Sequence, residues 1–164
     1  MKKIAENVFA LIVFLGLIGC SVGPGGWRRT SSDSQSIAVI EDESLRGSAA
    51  DFVANAGDRV FFVFDSSSIS ETSEAILEKQ AAWLLANPGR RILIEGHCDE
   101  RGTREYNLGL GERRADAAAR YLVKNGVEKD RIRTISWGKD RPFAVEGTQE
   151  EVHRKNRVAV QTIE

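Results

Sequence analysis

Apolar residues along this chain come in short runs separated by polar stretches, and their spacing predicts most of the elements. Val60-Phe61-Phe62-Val63-Phe64 ends at Asp65 and a serine cluster; its length and aromatic content predict a buried strand. Leu77, Ala81 and Leu84 then recur at helical spacing. Ser70 is the expected N-cap, Glu71 and Glu74 fill the acidic first turn, and Asn87-Pro88-Gly89 stops the helix. Arg91-Ile92-Leu93-Ile94-Glu95 reads as a second strand, central in its sheet because it is apolar on both faces. After a polar loop from Gly96 to Gly102, a long helix carries Ala115, Ala118 and Leu122 on one face and stops at Asn125-Gly126. Arg131 to Trp137 is expected as a third strand, residues 149–156 as a short polar helix, and Arg157 to Ile163 as the last strand. Two strand–long-helix units imply parallel crossovers onto one sheet, an α/β arrangement.

The N-terminal part carries a different pattern. Lys2 and Lys3 precede an eleven-residue apolar run, Val8 to Ile18. A spanning helix needs about 20 residues, so the run suits the apolar core of a secretory signal instead. It ends in Leu17-Ile18-Gly19-Cys20, which resembles the bacterial lipobox. The resemblance implies a diacylglyceryl thioether on Cys20, cleavage before it and acylation of the new amino group. Two or three acyl chains on one cysteine hold a protein to a membrane essentially permanently. Ser21 stands where, in bacterial lipoproteins, an Asp favours the inner membrane; the resemblance therefore implies the outer membrane. Residues 21–50 hold seven serines, four glycines and one proline without helical or strand period, and read as a flexible tether. The expected organisation is a signal peptide at 1–19, lipidated Cys20 with its periplasmic tether at 20–51, and a folded domain at 52–164.

Charge and composition narrow the chemistry. Lys plus Arg is 23 and Asp plus Glu 24, a net charge of −1, whereas a general nucleic-acid binder is strongly basic. Two cysteines and two histidines furnish neither a disulfide framework nor a His-rich metal cluster. No metal, cofactor or nucleic-acid partner is therefore expected. Arg154-Lys155 with Arg157 reads as a solvated basic face.

The segment Glu95-Gly96-His97-Cys98-Asp99-Glu100-Arg101-Gly102 joins the C-terminal end of a strand to a helix N-terminus. In open α/β sheets that edge binds ligands, and helix N–H groups favour a carboxylate or phosphate there. Arg114, beside the buried stripe of the following helix, offers a fork for a carboxylate, and Asp99 a partner for an ammonium. The pair suits a zwitterionic amino-acid end. It equally suits a plain Asp99–Arg114 salt bridge that fixes the loop on the helix, and these residues alone do not separate the two. Cys98 raises an enzymatic alternative. Its thiol lies near a helix N-terminus, yet a nucleophile needs a positioned base, and His97, adjacent on extended chain, points to the opposite face. A non-enzymatic protein with Cys98 as a packed small residue is expected.

Gly96-His97-Cys98-Asp99-Glu100-Arg101-Gly102-Thr103, followed by Tyr106-Asn107-Leu108-Gly109-Leu110-Gly111-Glu112-Arg113-Arg114-Ala115, resembles the C-terminal domain family of outer membrane protein A, and within it the peptidoglycan-associated lipoprotein branch. Asn107, Leu110, Arg114 and Ala115 match the family pattern; Gly111 replaces its serine, as is usual in that branch. Phe62-Val63-Phe64-Asp65, Ser136-Trp137-Gly138-Lys139 and Lys155-Asn156-Arg157 follow in family order, while Val158 departs from a second arginine. The resemblance covers residues 58–164. It implies a β-α-β-α-β-β fold, one mixed four-stranded sheet backed by helices. It implies non-covalent binding of the meso-diaminopimelate residue of a peptidoglycan stem peptide, with Asp99 on the ammonium and Arg114 on the carboxylate. Phe64, Asp65, Arg101, Asn107 and Leu110 fall on further ligand contacts. It also implies a periplasmic partner, the TolB-like propeller of the Tol-Pal system, and a role in envelope integrity and cell division. The alternative is a peptidoglycan-binding lipoprotein of the same fold without a Tol link.

Overall fold

The computed structural model describes residues 45–164. The signal, Cys20 and nearly all of the expected tether lie outside the described residues.

Four strands, β1 (Arg59–Phe61), β2 (Ile92–His97), β3 (Ile132–Gly138) and β4 (Val158–Ile163), form one mixed sheet in the order β1-β4-β2-β3. β2 and β3 run parallel, with Ile92 opposite Ile132. β4 lies antiparallel between β1 and β2, pairing Ala159 with Val60 and Val160 with Glu95. Helix α1 (Ala49–Ala56) precedes β1, and α2 (Glu71–Ala86), α3 (Arg104–Lys124) and α4 (Gln149–Asn156) lie between successive strands in chain order. The expected single mixed four-stranded α/β sheet is therefore present.

Local chemistry accounts for the helix ends. Ser70 accepts from Ser73 N at 3.3 Å and Thr103 accepts from Tyr106 N at 3.2 Å, each satisfying an orphan amide of the first turn. Thr148 and Glu151 form a reciprocal capping box on α4. At the C-terminus of α2, buried Arg131 donates to the carbonyls of Leu84, Asn87 and Arg90, each at 2.9 Å. That guanidinium fastens the last turn of α2 to the loop that follows it.

The core lies between the helices and one sheet face and buries Phe52, Val60, Leu77, Leu84, Ile92, Ile94 and Leu122. α3 crosses β2 and β3 at backbone-to-backbone distance. A Cβ on Gly96 would stand 1.9 Å from Gly111 O, and one on Gly111 would stand 2.4 Å from Ser136 Oγ. Two glycines thus set how deep α3 sits, and with it the depth of Arg114 one turn further on.

Three expectations are corrected. The run 60–64 is not a fully buried strand: β1 is a three-residue edge strand, Val60 and Phe62 are buried, and Phe61, Val63 and Phe64 are exposed. β2 is central, but not for the expected reason; Ile92 and Ile94 are buried while Leu93 and Glu95 on the other face are only half-buried. Helix α1 was not expected at all, and its first three residues fall within the expected tether. It is held by burial of Phe52 edge-on against Trp83, with ring centroids 5.1 Å apart, and by Trp83 Nε1 donating to Asp51 at 2.8 Å.

Candidate functional site

β2 ends at His97, and the chain then turns through Cys98 and Asp99 to the Thr103 cap of α3. Several bonds fix this loop. Lys139, at the end of β3, donates to the carbonyls of Glu100 at 3.1 Å and Gly102 at 2.6 Å. Asn107 Nδ2 donates to Arg101 O at 2.8 Å, and Gly102 takes a positive φ of 91°. The loop's side chains are therefore presented from a backbone anchored to both α3 and β3.

Asp99 is 4% exposed, and its carboxylate is shared by two arginines. Oδ1 accepts from Arg101 N at 3.3 Å and Nε at 3.2 Å; Oδ2 accepts from Arg101 Nη2 at 2.5 Å and Arg157 Nη1 at 3.3 Å. Burial pushes the carboxyl's pKa up, but the Arg101 hydrogen bonds and charge, with Arg157, outweigh it and hold the group below the ordinary carboxylate value. Arg101 rests over the ring of Phe64, 4.0 Å from its centroid.

Arg114 is 1% exposed and does not pair with Asp99. Its Nε donates to Ser66 O at 2.9 Å, Nη1 to His97 O at 2.8 Å and to Cys98 Sγ at 3.4 Å, and Nη2 to Val63 O at 3.2 Å. The guanidinium thus ties the end of β2 to the segment after β1. Burial pulls its pKa below the ordinary guanidinium value. The expected alternative of a simple Asp99–Arg114 salt bridge is not formed.

Across the site, Asp65 is the described non-glycine residue with a positive φ, 52°, and accepts a short hydrogen bond from Tyr106 Oη. The strained backbone turns Asp65 toward α3.

Phe64, Asp65, Asp99, Arg101, Asn107, Leu110 and Arg114 line one open cavity of about 170 Å³. All seven domain residues singled out in the sequence are thus brought together; Cys20 lies outside the described residues. Cys98, Gly102 and Tyr106 complete the lining. The bowl is lined by the acidic groups of Asp65 and Asp99, the basic groups of Arg101 and Arg114, and the apolar side chains of Phe64 and Leu110, which suits a small zwitterionic group.

Arg157 was misjudged in the sequence. Its exposed neighbours Arg154 and Lys155 suggest a basic face, but Arg157 itself is 8% exposed. It donates to Asp99 and, through Nε, to Phe62 O at 3.1 Å, while its own carbonyl accepts from Phe62 N. The signal available was its place at a helix–strand junction, where one residue faces inward.

Cys98 is a buried thiol without a positioned base. The thiol is 2% exposed, donates to Asn107 O at 3.4 Å, and burial pushes its pKa up. His97 Nδ1 is engaged with Arg141 O at 2.8 Å, away from the sulfur. Among the described residues no group of His, Cys, Asp and Glu is arranged to hold a metal ion.

An open mixed sheet of this order, with a charged bowl beyond the end of its central parallel strand, defines a class of small domain. Residues 61–157 match the OmpA family, and the chain belongs to that family. Its curated relatives narrow the branch. It is 46% identical over 147 residues to the peptidoglycan-associated lipoprotein of Rhizobium meliloti (strain 1021), covering 88% of this chain and 81% of that protein. It is 42% identical over 145 residues to the peptidoglycan-associated lipoprotein of Brucella abortus biovar 1 (strain 9-941), covering 88% and 85%. Among solved structures, the peptidoglycan-associated lipoprotein from Burkholderia pseudomallei superposes with a TM-score of 0.62 at 40% identity, over 65% of this chain and 90% of that one. The C-terminal domain of Helicobacter pylori MotB shares the fold, with a TM-score of 0.58 at 20% identity over 65% and 84%.

Proposed function

We propose that this chain is an outer-membrane lipoprotein that grips peptidoglycan without making or breaking a bond. Its ligand is the diaminopimelate end of a stem peptide. The observation that carries the reading is the bowl itself: ionised, nearly buried Asp99 faces the same cavity as Arg101 and Arg114. Diaminopimelate offers an ammonium and a carboxylate on one carbon, so Asp99 receives the first and the guanidinium side of the bowl the second. Phe64, Asp65, Asn107 and Leu110 shape the pocket around them. The names of the curated relatives support the same reading.

Lipid on Cys20 anchors the chain to the outer membrane from the periplasmic side, and the residues between Cys20 and α1 join it to the folded domain. A TolB-like propeller is its protein partner in a Tol-Pal system serving envelope integrity and division. The chain is a binding module, not an enzyme.

Co-sedimentation tests the core of this reading. The full chain in detergent is spun with purified cell-wall sacculi. It is expected in the pellet and to be released by excess diaminopimelate-containing stem peptide; a chain that stays in the supernatant overturns the reading. Fatty-acid label should enter the wild type and not Cys20→Ala.

A further inference from the structure

We propose that the open edge of β3, with the groove that α3 forms beside it, joins two copies of this chain about a two-fold axis. None of the residues involved lines the bowl, so the pairing leaves the proposed ligand site open.

The two ends of the sheet differ. β1 presents a strand of three residues, a poor template for pairing. β3 presents seven, the longest strand of the sheet. β2 covers one side of it, and no described strand covers the other. Backbone N–H and C=O groups along such an edge are ready to pair with a further strand. Large apolar side chains also reach solvent here: Ile135 on β3 is 38% exposed and Val123 on α3 is 41% exposed.

The groove has a polarity. α3 runs antiparallel to β3, since Thr134 Oγ1 donates to Asp116 at 3.2 Å while Ser136 Oγ donates to Leu108 O, earlier on the helix, at 2.7 Å. Two hollows of about 440 and 310 Å³ lie along this seam and share Thr134. Arg120 and Lys129 line the one at the Ile132 end, and Glu112 lines the one at the Ser136 end. All three side chains are exposed, and among the described residues none of them enters an ion pair. Asp116, between them, is held by Thr134. The groove is therefore basic at one end and acidic at the other.

That polarity selects the occupant. A second copy, turned by half a revolution about an axis through Thr134 and perpendicular to the sheet, lays its β3 antiparallel along this one. Both α3 helices then stand on the same face, and the basic end of each groove meets the acidic end of the other. Arg120 and Lys129 of each copy face Glu112 of its partner, so the complementarity is satisfied twice by one contact. The two β3 edges cover each other, and the assembly closes at two copies.

Sedimentation equilibrium of the full chain in density-matched detergent tests this. The wild type is expected to show a monomer–dimer equilibrium at concentrations up to about 1 mM, the weak end of the affinity scale. Arg120→Glu and Glu112→Lys should each weaken association by about tenfold or more, because each sets like charges together across the axis. The double variant reverses the polarity of the groove and keeps its self-complementarity, so association should return to within about threefold of wild type. Both positions are exposed and unpaired, so melting temperatures should hold in all variants, and co-sedimentation with sacculi should persist. A wild type that stays monomeric, a dimer indifferent to both single reversals, or a double variant that does not recover each overturns the inference and leaves the proposed function standing.

Discussion

Arg157 Nη1 lies 3.3 Å from Asp99 Oδ2 while its Nε holds Phe62 O at 3.1 Å, so one nearly buried guanidinium joins the start of β4 to the functional loop and to the end of β1. Removing it leaves a buried carboxylate with one exposed partner and a buried carbonyl with none. Arg157→Ala should therefore destabilise the domain by about 2–4 kcal/mol, toward the lower end of what breaking a buried ion pair costs because Arg101 remains. Arg157→Lys should recover less than half, since an ammonium cannot reach both acceptors in fork geometry. Urea unfolding measures both; stabilities within about 0.5 kcal/mol of wild type would contradict the role.

Arg114 is the second clamp, and its loss should register first in folding. The carbonyls of Val63, Ser66 and His97 would lose their donors together. Each unsatisfied buried carbonyl costs about 1–3 kcal/mol, less where the open bowl admits water, so Arg114→Ala should cost about 3–5 kcal/mol. Arg114→Lys should fold better yet still below wild type.

A third expectation concerns packing. Gly111 stands where the wider family carries serine, and the reason here is steric: its missing Cβ would meet Ser136 Oγ at 2.4 Å and Gly96 O at 2.9 Å. Gly111→Ser should destabilise by about 1–3 kcal/mol through overpacking. Ser136→Ala removes the nearer clash but also the bond from Ser136 Oγ to Leu108 O at 2.7 Å. The double variant should therefore lie above the sum of the two singles, a coupling that a double-mutant cycle reads directly. Additive losses would mean that α3 shifts instead.

The long helices were legible because their signals are local: apolar spacing in α2 and α3, Ser70 at one end, Asn87 and Asn125 at the others. The residues of the bowl were legible too, through an ordered motif on one loop and one helix. What escaped the sequence depends on which strands become neighbours. The five-residue run at β1 looked buried, but the strand stops at Phe61 and only Val60 and Phe62 turn into the core, leaving Phe61, Val63 and Phe64 exposed. Arg157 meets Asp99 because β4 inserts between β1 and β2, a contact between residues 58 positions apart that no local spacing encodes. The clamp formed by Arg114 has the same origin, since its acceptors lie after β1 and at the end of β2. Helix α1 was missed although Ser48 and Gly57 mark its ends: it is only eight residues long, it adjoins a serine- and glycine-rich stretch, and its support comes from distant Trp83.

The last expectation is a pH dependence with a defined sign. Asp99 is held below the ordinary carboxylate value in the folded protein, whereas in the unfolded chain it titrates near about 3.9. Between those two values the unfolded chain binds the extra proton, so stability there rises with pH. The contribution of Asp99 is therefore complete above about pH 4 to 5 and is lost as pH falls through its lowered folded value. Asp51 is also held low, by the Gly47 amide and Trp83, so the whole-protein profile does not isolate Asp99. The difference between wild type and Asp99→Asn does. It should be constant from neutral pH down to about 5 and shrink as the pH falls through the lowered folded value. Binding of the diaminopimelate peptide should follow the same group. Since the ammonium needs ionised Asp99, affinity should persist through pH 4 and fall only below it, provided the protein is still folded. A midpoint for either curve at or above about pH 5 would show that Asp99 is not held down by its arginines, and that a different carboxylate receives the ligand.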